Sequence, residues 1–249
     1  MKKKGKIKKR NQIDYFENGS DEFFYYIAGY ADGGAPYGTT WQEIIADELK
    51  FRRAVKKDAK KVAELIHIAI DDIAEQLTGQ TKKENIRETL EHFFREKDNR
   101  LSFQNIAVAD ILGKVVGIVI TYPGEDALRL DEPILKRLRN KRKNEEIFLD
   151  QEADEGDFYI DTVCVDDRFR GHGIGTMLLK EAEKLALQKG YSRVTLNVAR
   201  DNPLAKKLYN QIGYQEEKVI QINKHPYDYM VKTFELENNS RRELLAVTS

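Results

Sequence analysis

Residues 170–175 read Arg170-Gly171-His172-Gly173-Ile174-Gly175, between a β-rich run and an amphipathic helix. Glycines without a Cβ let backbone N–H groups converge, and a helix N-terminus adds roughly half a positive charge, so the loop suits a pyrophosphate. Taken alone, it suits a structural turn as well. It is no dinucleotide fingerprint, because the sixth position from Gly171 is Thr176 and no acidic residue closes the next strand. Nor is it a Walker loop: the Gly-Lys pair at Gly113 is followed by Val115, where Ser or Thr would be needed.

Other reactive side chains are few. The single cysteine, Cys164, excludes an internal disulfide framework and a multi-cysteine zinc site, and it fits a reducing compartment. The four histidines, His67, His92, His172 and His225, show no metal-ligand spacing, so no metal is expected. Carboxylates crowd residues 150–157 as Asp150, Glu152, Asp154, Glu155 and Asp157, followed by Asp161 within a strand pattern. Such a loop attracts a cation, or is simply a solvated acidic face.

A second motif stands thirty residues beyond the glycine loop. Asn202, Ala205, Tyr209, Gly213 and Tyr214 form N-x-x-A-x-x-x-Y-x-x-x-G-Y. Together with Arg170 to Gly175, read as R-x-x-G-x-G, this pattern closely resembles the signature of the GCN5-related N-acetyltransferase (GNAT) superfamily. The resemblance covers roughly residues 50–236 and not the first 48. It implies an acetyl-CoA cosubstrate, with pantetheine along the backbone of Val163, Cys164 and Val165. It further implies pyrophosphate at Arg170, Gly171, His172, Gly173, Ile174, Gly175 and Thr176, and cofactor contacts from Asn202, Ala205 and Tyr209. The reaction implied is direct attack of an amine, small-molecule or peptide, on the thioester. The alternative is a protein that keeps the acyl-CoA fold for regulation or partner binding without turnover.

Amine acetylation needs a neutral nucleophile and a proton for the leaving thiolate. By the resemblance, Asp161 is the expected base, on the strand face of Val163 and Val165, with Glu155 and Asp157 in reserve. Tyr209 is the expected acid. Cys164, on the opposite strand face, could in principle carry an acyl group in a covalent mechanism. The chain departs from related ribosomal-protein-type N-terminal acetyltransferases at Asn197, where those enzymes often carry Glu. That weakens a peptide N-terminus as acceptor, and the acidic loop favours a cationic one such as a polyamine or basic side chain.

The elements that must hold these residues follow from periodicity. Leu178, Ala182, Leu185 and Ala186 share one face of a helix that Gly190 ends, and Asn202 with Pro203 starts the next helix at a fixed point. Upstream, Val62, Leu65, Ile66, Ala69, Ile73 and Leu77 predict one long helix, and a second covers 83–97. Strands are predicted over 51–55, in a hairpin turning near Leu112 and Gly113, over 157–165, 193–199, and in two final strands. A charged insertion, residues 124–156, is expected to be helical at its centre, 132–151. The fold class is α/β: a GNAT-like, mixed, largely antiparallel sheet flanked by helices, with splayed central strands.

The expected organisation is a basic tail (1–10), an aromatic-rich extension (11–48), an acyltransferase domain (49–236) and a flexible tail (237–249). Seven of the first ten residues are Lys or Arg, yet Lys+Arg and Asp+Glu are equal at 42 each, so no global field favours nucleic acid. Apolar runs are strand length and no h-region follows the basic start, so neither a membrane span nor a secretory signal is expected, and the cytoplasm is. Aromatics in 22–41 need a surface to cover, either within the chain or across a homodimer.

Overall fold

Thr40 and Glu43 form a capping box: Glu43 N–H donates to Thr40 Oγ1 at 3.2 Å, and Thr40 N–H donates to Glu43 Oε2 at 2.8 Å. The computed structural model describes residues 24–141 and 147–235, so both expected tails lie outside the described residues. Two compact units meet at Leu49 and Lys50. In the first, β1 (Phe24–Tyr30) pairs antiparallel with β2 (Pro36–Thr40), and α1 (Trp41–Glu48) follows. Tyr25 meets the buried Trp41 edge to face at 5.2 Å.

The second unit begins with β3 (Leu49–Arg53), α2 (Ala59–Ile70), α3 (Ile73–Thr78) and α4 (Lys83–Arg95). The single helix predicted across residues 56–77 is in fact two. Asp71 turns to φ 36°, which short polar side chains tolerate better than most, and its N–H donates to His67 O at 3.2 Å as α2 ends. Next come β4 (Ile106–Ile111) and β5 (Lys114–Pro123), joined through Leu112 and Gly113 at φ 54° and 85°. Positive φ at both turn residues matches the right-handed twist of the flanking strands.

Helix α5 (Ala127–Lys141) starts earlier than predicted, because Ala127, Leu130, Ile134 and Leu138 set the buried stripe. Residues 147–157 then run without regular structure into β6 (Phe158–Val165). The remainder is α6 (Ile174–Gln188), β7 (Arg193–Ala199), α7 (Pro203–Gln211), β8 (Gln215–Ile222) and β9 (His225–Thr233).

The seven strands lie in the order β3-β4-β5-β6-β7-β9-β8. Pairs β4–β5, β5–β6, β7–β9 and β8–β9 are antiparallel, and β6–β7 is parallel. Helices α2, α4 and α5 pack their apolar faces into one core with Ile118 and Ile120 of β5. Gly117, one residue away and therefore on the other sheet face, lies under Leu178 of α6. The sheet is thus covered on both sides.

Two irregularities in β6 open the middle of the sheet. Its parallel pairing with β7 covers only Phe158–Ile160 against Val194–Leu196, after which the strands part. Against β5, Ile160 pairs with Thr121 and Thr162 with Ile120, so Asp161 is the extra residue of a bulge. The strands therefore diverge where Asp161 stands.

Candidate active site

The first cavity, about 460 Å³, follows the free end of β6 into the glycine loop and α6. It is lined by Val163, Cys164 and Val165, by Arg170, Gly171, Gly173, Ile174, Gly175 and Thr176, and by Leu208 and Tyr209 of α7. Gly171 and Gly173 sit at φ 81° and 78°, a region costly to other residues, and no heavy atom lies within 4 Å of where a Cβ would stand. That leaves an open cradle at the N-terminus of a fifteen-residue helix, which fits a pyrophosphate. Arg170 is steadied by Val165 O at 3.3 Å and Asp167 at 2.7 Å. His172, predicted with the loop, is half-buried and does not line the cavity.

The second cavity, about 220 Å³, fills the gap where β6 leaves β7. Asp161, Thr162 and Val163 form one wall, and Leu196, Asn197, Val198 and Ala199 the other. Glu152 and Tyr159 also line it, with Ile222 and Tyr227 from the last hairpin. Asn202 and Ala205, predicted on the cofactor side, line this cavity instead, while Asn202 Oδ1 caps α7 by accepting from Ala205 N–H at 3.1 Å. Ala69, Val163 and Tyr209 line both cavities.

Behind the second cavity lies a buried ionic cluster. Arg100, 4% exposed, donates from Nε to Asp161 Oδ2 at 2.8 Å, and its Nη2 lies 2.7 Å from the same oxygen and 2.8 Å from Glu152 Oε2. Its Nη1 reaches Asp131 Oδ1 at 3.4 Å. Tyr122 donates to Asp161 Oδ2 at 2.7 Å, and Thr162 to Oδ1 at 2.7 Å. Burial works against the Arg100 charge, but Asp161 and Glu152 outweigh it and hold the guanidinium protonated. Burial likewise pushes the Tyr122 and Tyr159 phenols well above their usual range, so both remain donors. Asp131, the most weakly held carboxylate, is pushed up by burial to about 6.

Tyr209 is raised by burial alone, which keeps its proton in place at neutral pH. Its ring meets Tyr214 edge to face at 6.2 Å. Burial pushes the Cys164 thiol up to about 11, so the thiolate that a covalent route needs is scarce near neutrality.

Of the acidic loop, only Glu152 reaches the cavity wall. Asp157 is committed to Arg193 at 2.6 Å and accepts from Tyr229 at 2.7 Å, Asp154 accepts from Lys218, and Glu155 is exposed. The loop is held against β5 because Gly124 has no side chain: a Cβ there would lie 1.8 Å from Asp154 O. His225 opens β9, 3.7 Å from Asp72, outside the cavity lining. Among the described residues no group of three His, Cys, Asp or Glu side chains could hold a metal, and no helix is long and apolar enough to cross a membrane.

Arg100, Tyr122 and Asp131 were not foreseen. Their partners lie 31 to 61 residues away in sequence, and nothing local marks a buried arginine.

The model of the acetyltransferase (GNAT) family matches residues 69–214. One solved acetyltransferase is 32% identical, with a TM-score of 0.64 over 75% of this chain and 100% of its own. An N-acetyltransferase from Staphylococcus aureus Mu50 is 25% identical, with a TM-score of 0.63 over 73% of this chain and 99% of its own. The thialysine N-epsilon-acetyltransferase of Bos taurus is 36% identical over 58 residues, 23% of this chain and 34% of that protein. The chain thus spans about a third or less of the curated relatives it matches.

Gly173→Val places a branched side chain in the open cradle at a left-handed position, so acetyl-CoA affinity should fall at least tenfold while the circular dichroism spectrum stays native; calorimetric titration measures it. For Asp131, the folded state holds a proton that the unfolded chain has already lost between about pH 4 and 6, so its contribution to stability falls across that interval. The stability of wild type relative to Asp131→Asn, from urea melts at pH 4 to 7, should therefore fall by about 2 to 3 kcal/mol and level off above pH 6.

Proposed function

This chain belongs to the acetyltransferase (GNAT) family, and from that premise we propose that it transfers the acetyl group of acetyl-CoA to an amine that arrives as a cation. The observation that carries this reading is the meeting of the two cavities at Ala69, Val163 and Tyr209. The first is an anion cradle that continues along a strand edge freed from pairing, which suits a pyrophosphate and an amide-bearing pantetheine arm. The second is walled by carboxylate and phenol groups, which suits an amine.

Charge selects the acceptor. Arg100 faces Asp131, Glu152 and Asp161, leaving negative charge in excess behind the second cavity. Tyr227, which lines the second cavity, is raised by burial and then by Asp72, Glu152 and Asp201, so further carboxylates act on that wall. The Bos taurus relative is named for a side-chain amine, thialysine N-epsilon, and a basic side-chain amine or polyamine is our reading for this chain.

Each group has a part in direct transfer. Tyr209, protonated and at the junction, supplies the proton that the departing thiolate requires. Asp161 takes hydrogen bonds from Arg100, Tyr122 and Thr162 on both oxygens, so we assign it an electrostatic part beneath the acceptor rather than proton removal. Cys164 lines the first cavity, and its raised thiol gives it no part as an acyl carrier. A lone unpaired thiol supports a cytoplasmic setting. Exposed Tyr26, Tyr30 and Tyr37 on the first unit support a second copy of the chain as partner.

An amine panel tests the reading. Thiol release should be faster with diamines and lysine-like amines than with neutral amino groups, with the preference shrinking as salt rises. Thiol release no faster than background with every amine would overturn it. Tyr209→Phe should retain acetyl-CoA affinity and lose about 10² or more in the single-turnover rate. An unchanged single-turnover rate returns Tyr209 to a packing role.

A further inference from the structure

Asp161 carries donors on both oxygens, Arg100 and Tyr122 on Oδ2 and Thr162 on Oδ1, so a carboxylate oxygen with no donor on it is better placed to take the acceptor's proton. We propose that Glu152 Oε1 is that oxygen, the catalytic base for the acceptor amine, and that Asn197 is its positioning residue. The inference rests on the acetyl-transfer reading above.

Two side chains fix the Glu152 carboxylate by one oxygen. Oε2 lies 2.8 Å from Arg100 Nη2 and accepts from Tyr159 OH at 2.9 Å. Among the described residues no hydrogen bond or ion pair ends at Oε1, and the side chain, 15% exposed, stands in the wall of the second cavity. Tyr159 is a dependable donor because burial, then Glu152 and Asp161, keep its phenol protonated. The carboxylate is therefore oriented through one oxygen while a lone pair of the other stays free for a proton.

Asn197 fixes the backbone of the same residue. It sits one residue beyond the last β7 pairing with β6, and its Nδ2 donates to Glu152 O and to Tyr159 OH, both at 2.9 Å. Its Oδ1 is buried without a partner. Leaving an amide oxygen orphaned is costly, so the side chain's value lies in what its N–H groups hold. The loop is fixed on both flanks of Glu152, by Asp150 accepting from Asn223 N–H at 2.8 Å and by Asp154 accepting from Lys218.

Proton and electron pairs balance along this path. An ammonium N–H gives its proton to Glu152 Oε1, and the freed lone pair forms the N–C bond. The C–S bond breaks with its electron pair on sulfur, which takes the Tyr209 proton. A second N–H proton restores the phenol through water, and Glu152 returns its own to solvent. One proton is released for each acetylation.

Glu152→Gln keeps the shape and the contact to Arg100 while removing the base. For an amine acceptor, kcat/KM at pH 7 should fall by about 10² to 10⁴. The deficit should shrink as pH rises toward the amine's own pKa of about 10, where free amine no longer needs a base. A structural lesion would lower the rate at every pH. The charged or titratable neighbours that face Glu152 are Arg100, Tyr122 of β5, Asp131 of α5, Tyr159 and Asp161 of β6, and Tyr227 of β9. Asp131→Asn and Tyr227→Phe should therefore be profiled in parallel: whatever rate each has, its deficit against wild type should not close as pH rises toward the amine's pKa. Asn197→Ala should lose about tenfold in kcat with acetyl-CoA affinity unchanged, and Asn197→Gln should not rescue it, because the longer arm displaces the amide. Calorimetry with acetyl-CoA confirms that each variant is folded. A Glu152→Gln enzyme with wild-type rate and pH profile, beside an Asp161→Asn enzyme that loses both, overturns the assignment in favour of Asp161. A wild type that turns over no amine overturns the acetyl-transfer reading together with it.

Discussion

Three residues of parallel pairing hold β6 to β7, and the chemistry depends on where that pairing stops. Had the ladder continued, the backbone groups of residues 161–165 would have been spent on β7 and both cavities closed. The bulge at Asp161 marks the change on the other side of the strand, where pairing with β5 slips by one residue. A strand held on one edge and free on the other offers unpaired amide groups without unfolding. The open edge feeds the glycine loop below and faces Asn197 above, so one irregularity supplies two half-sites.

Those half-sites carry opposite electrostatics within a few residues of one strand. Below Val163 the backbone turns into the N-terminal end of α6, where uncommitted N–H groups favour an anion. Above it the wall is Asp161 and Glu152, with Asp131 behind. An anionic cosubstrate suits the first place, and the cationic acceptor that we propose suits the second. Tyr209 stands between the two, neutral, where a charge would favour one over the other.

The parts legible in sequence were those encoded within one turn or one strand. The cap at Asn202, the hairpin at Leu112 and the glycine loop each depend on residues at most six apart, and each forms where the pattern puts it. The break at Asp71 was not legible, since the apolar stripe continues through it and only the positive φ reveals the interruption. Asp161 was picked out by its position on the strand, but its hydrogen bonding depends on Arg100, 61 residues away, and on Tyr122, 39 away. Glu152 could be seen only as one of five acidic residues. Separating it from Asp157 required knowing which carboxylate meets Arg193 and which meets the cavity.

The buried cluster around Arg100 is hard to justify as a stabilising device. Moving a guanidinium and three carboxylates out of water is expensive, and well-packed apolar residues of similar volume commonly match or exceed a buried ion pair in stability. Asp131 illustrates the cost, since burial pushes its carboxyl to about 6 despite the arginine beside it. What apolar side chains cannot do is fix a direction. Arg100 ties together three segments that share no secondary structure: α5 through Asp131, the irregular loop through Glu152, and the bulge through Asp161. Each tie ends on a named oxygen, so the guanidinium sets not only where the loop lies but which face of the Glu152 carboxylate turns to the cavity. The stability given up in burying these charges is what orients the carboxylates behind the second cavity.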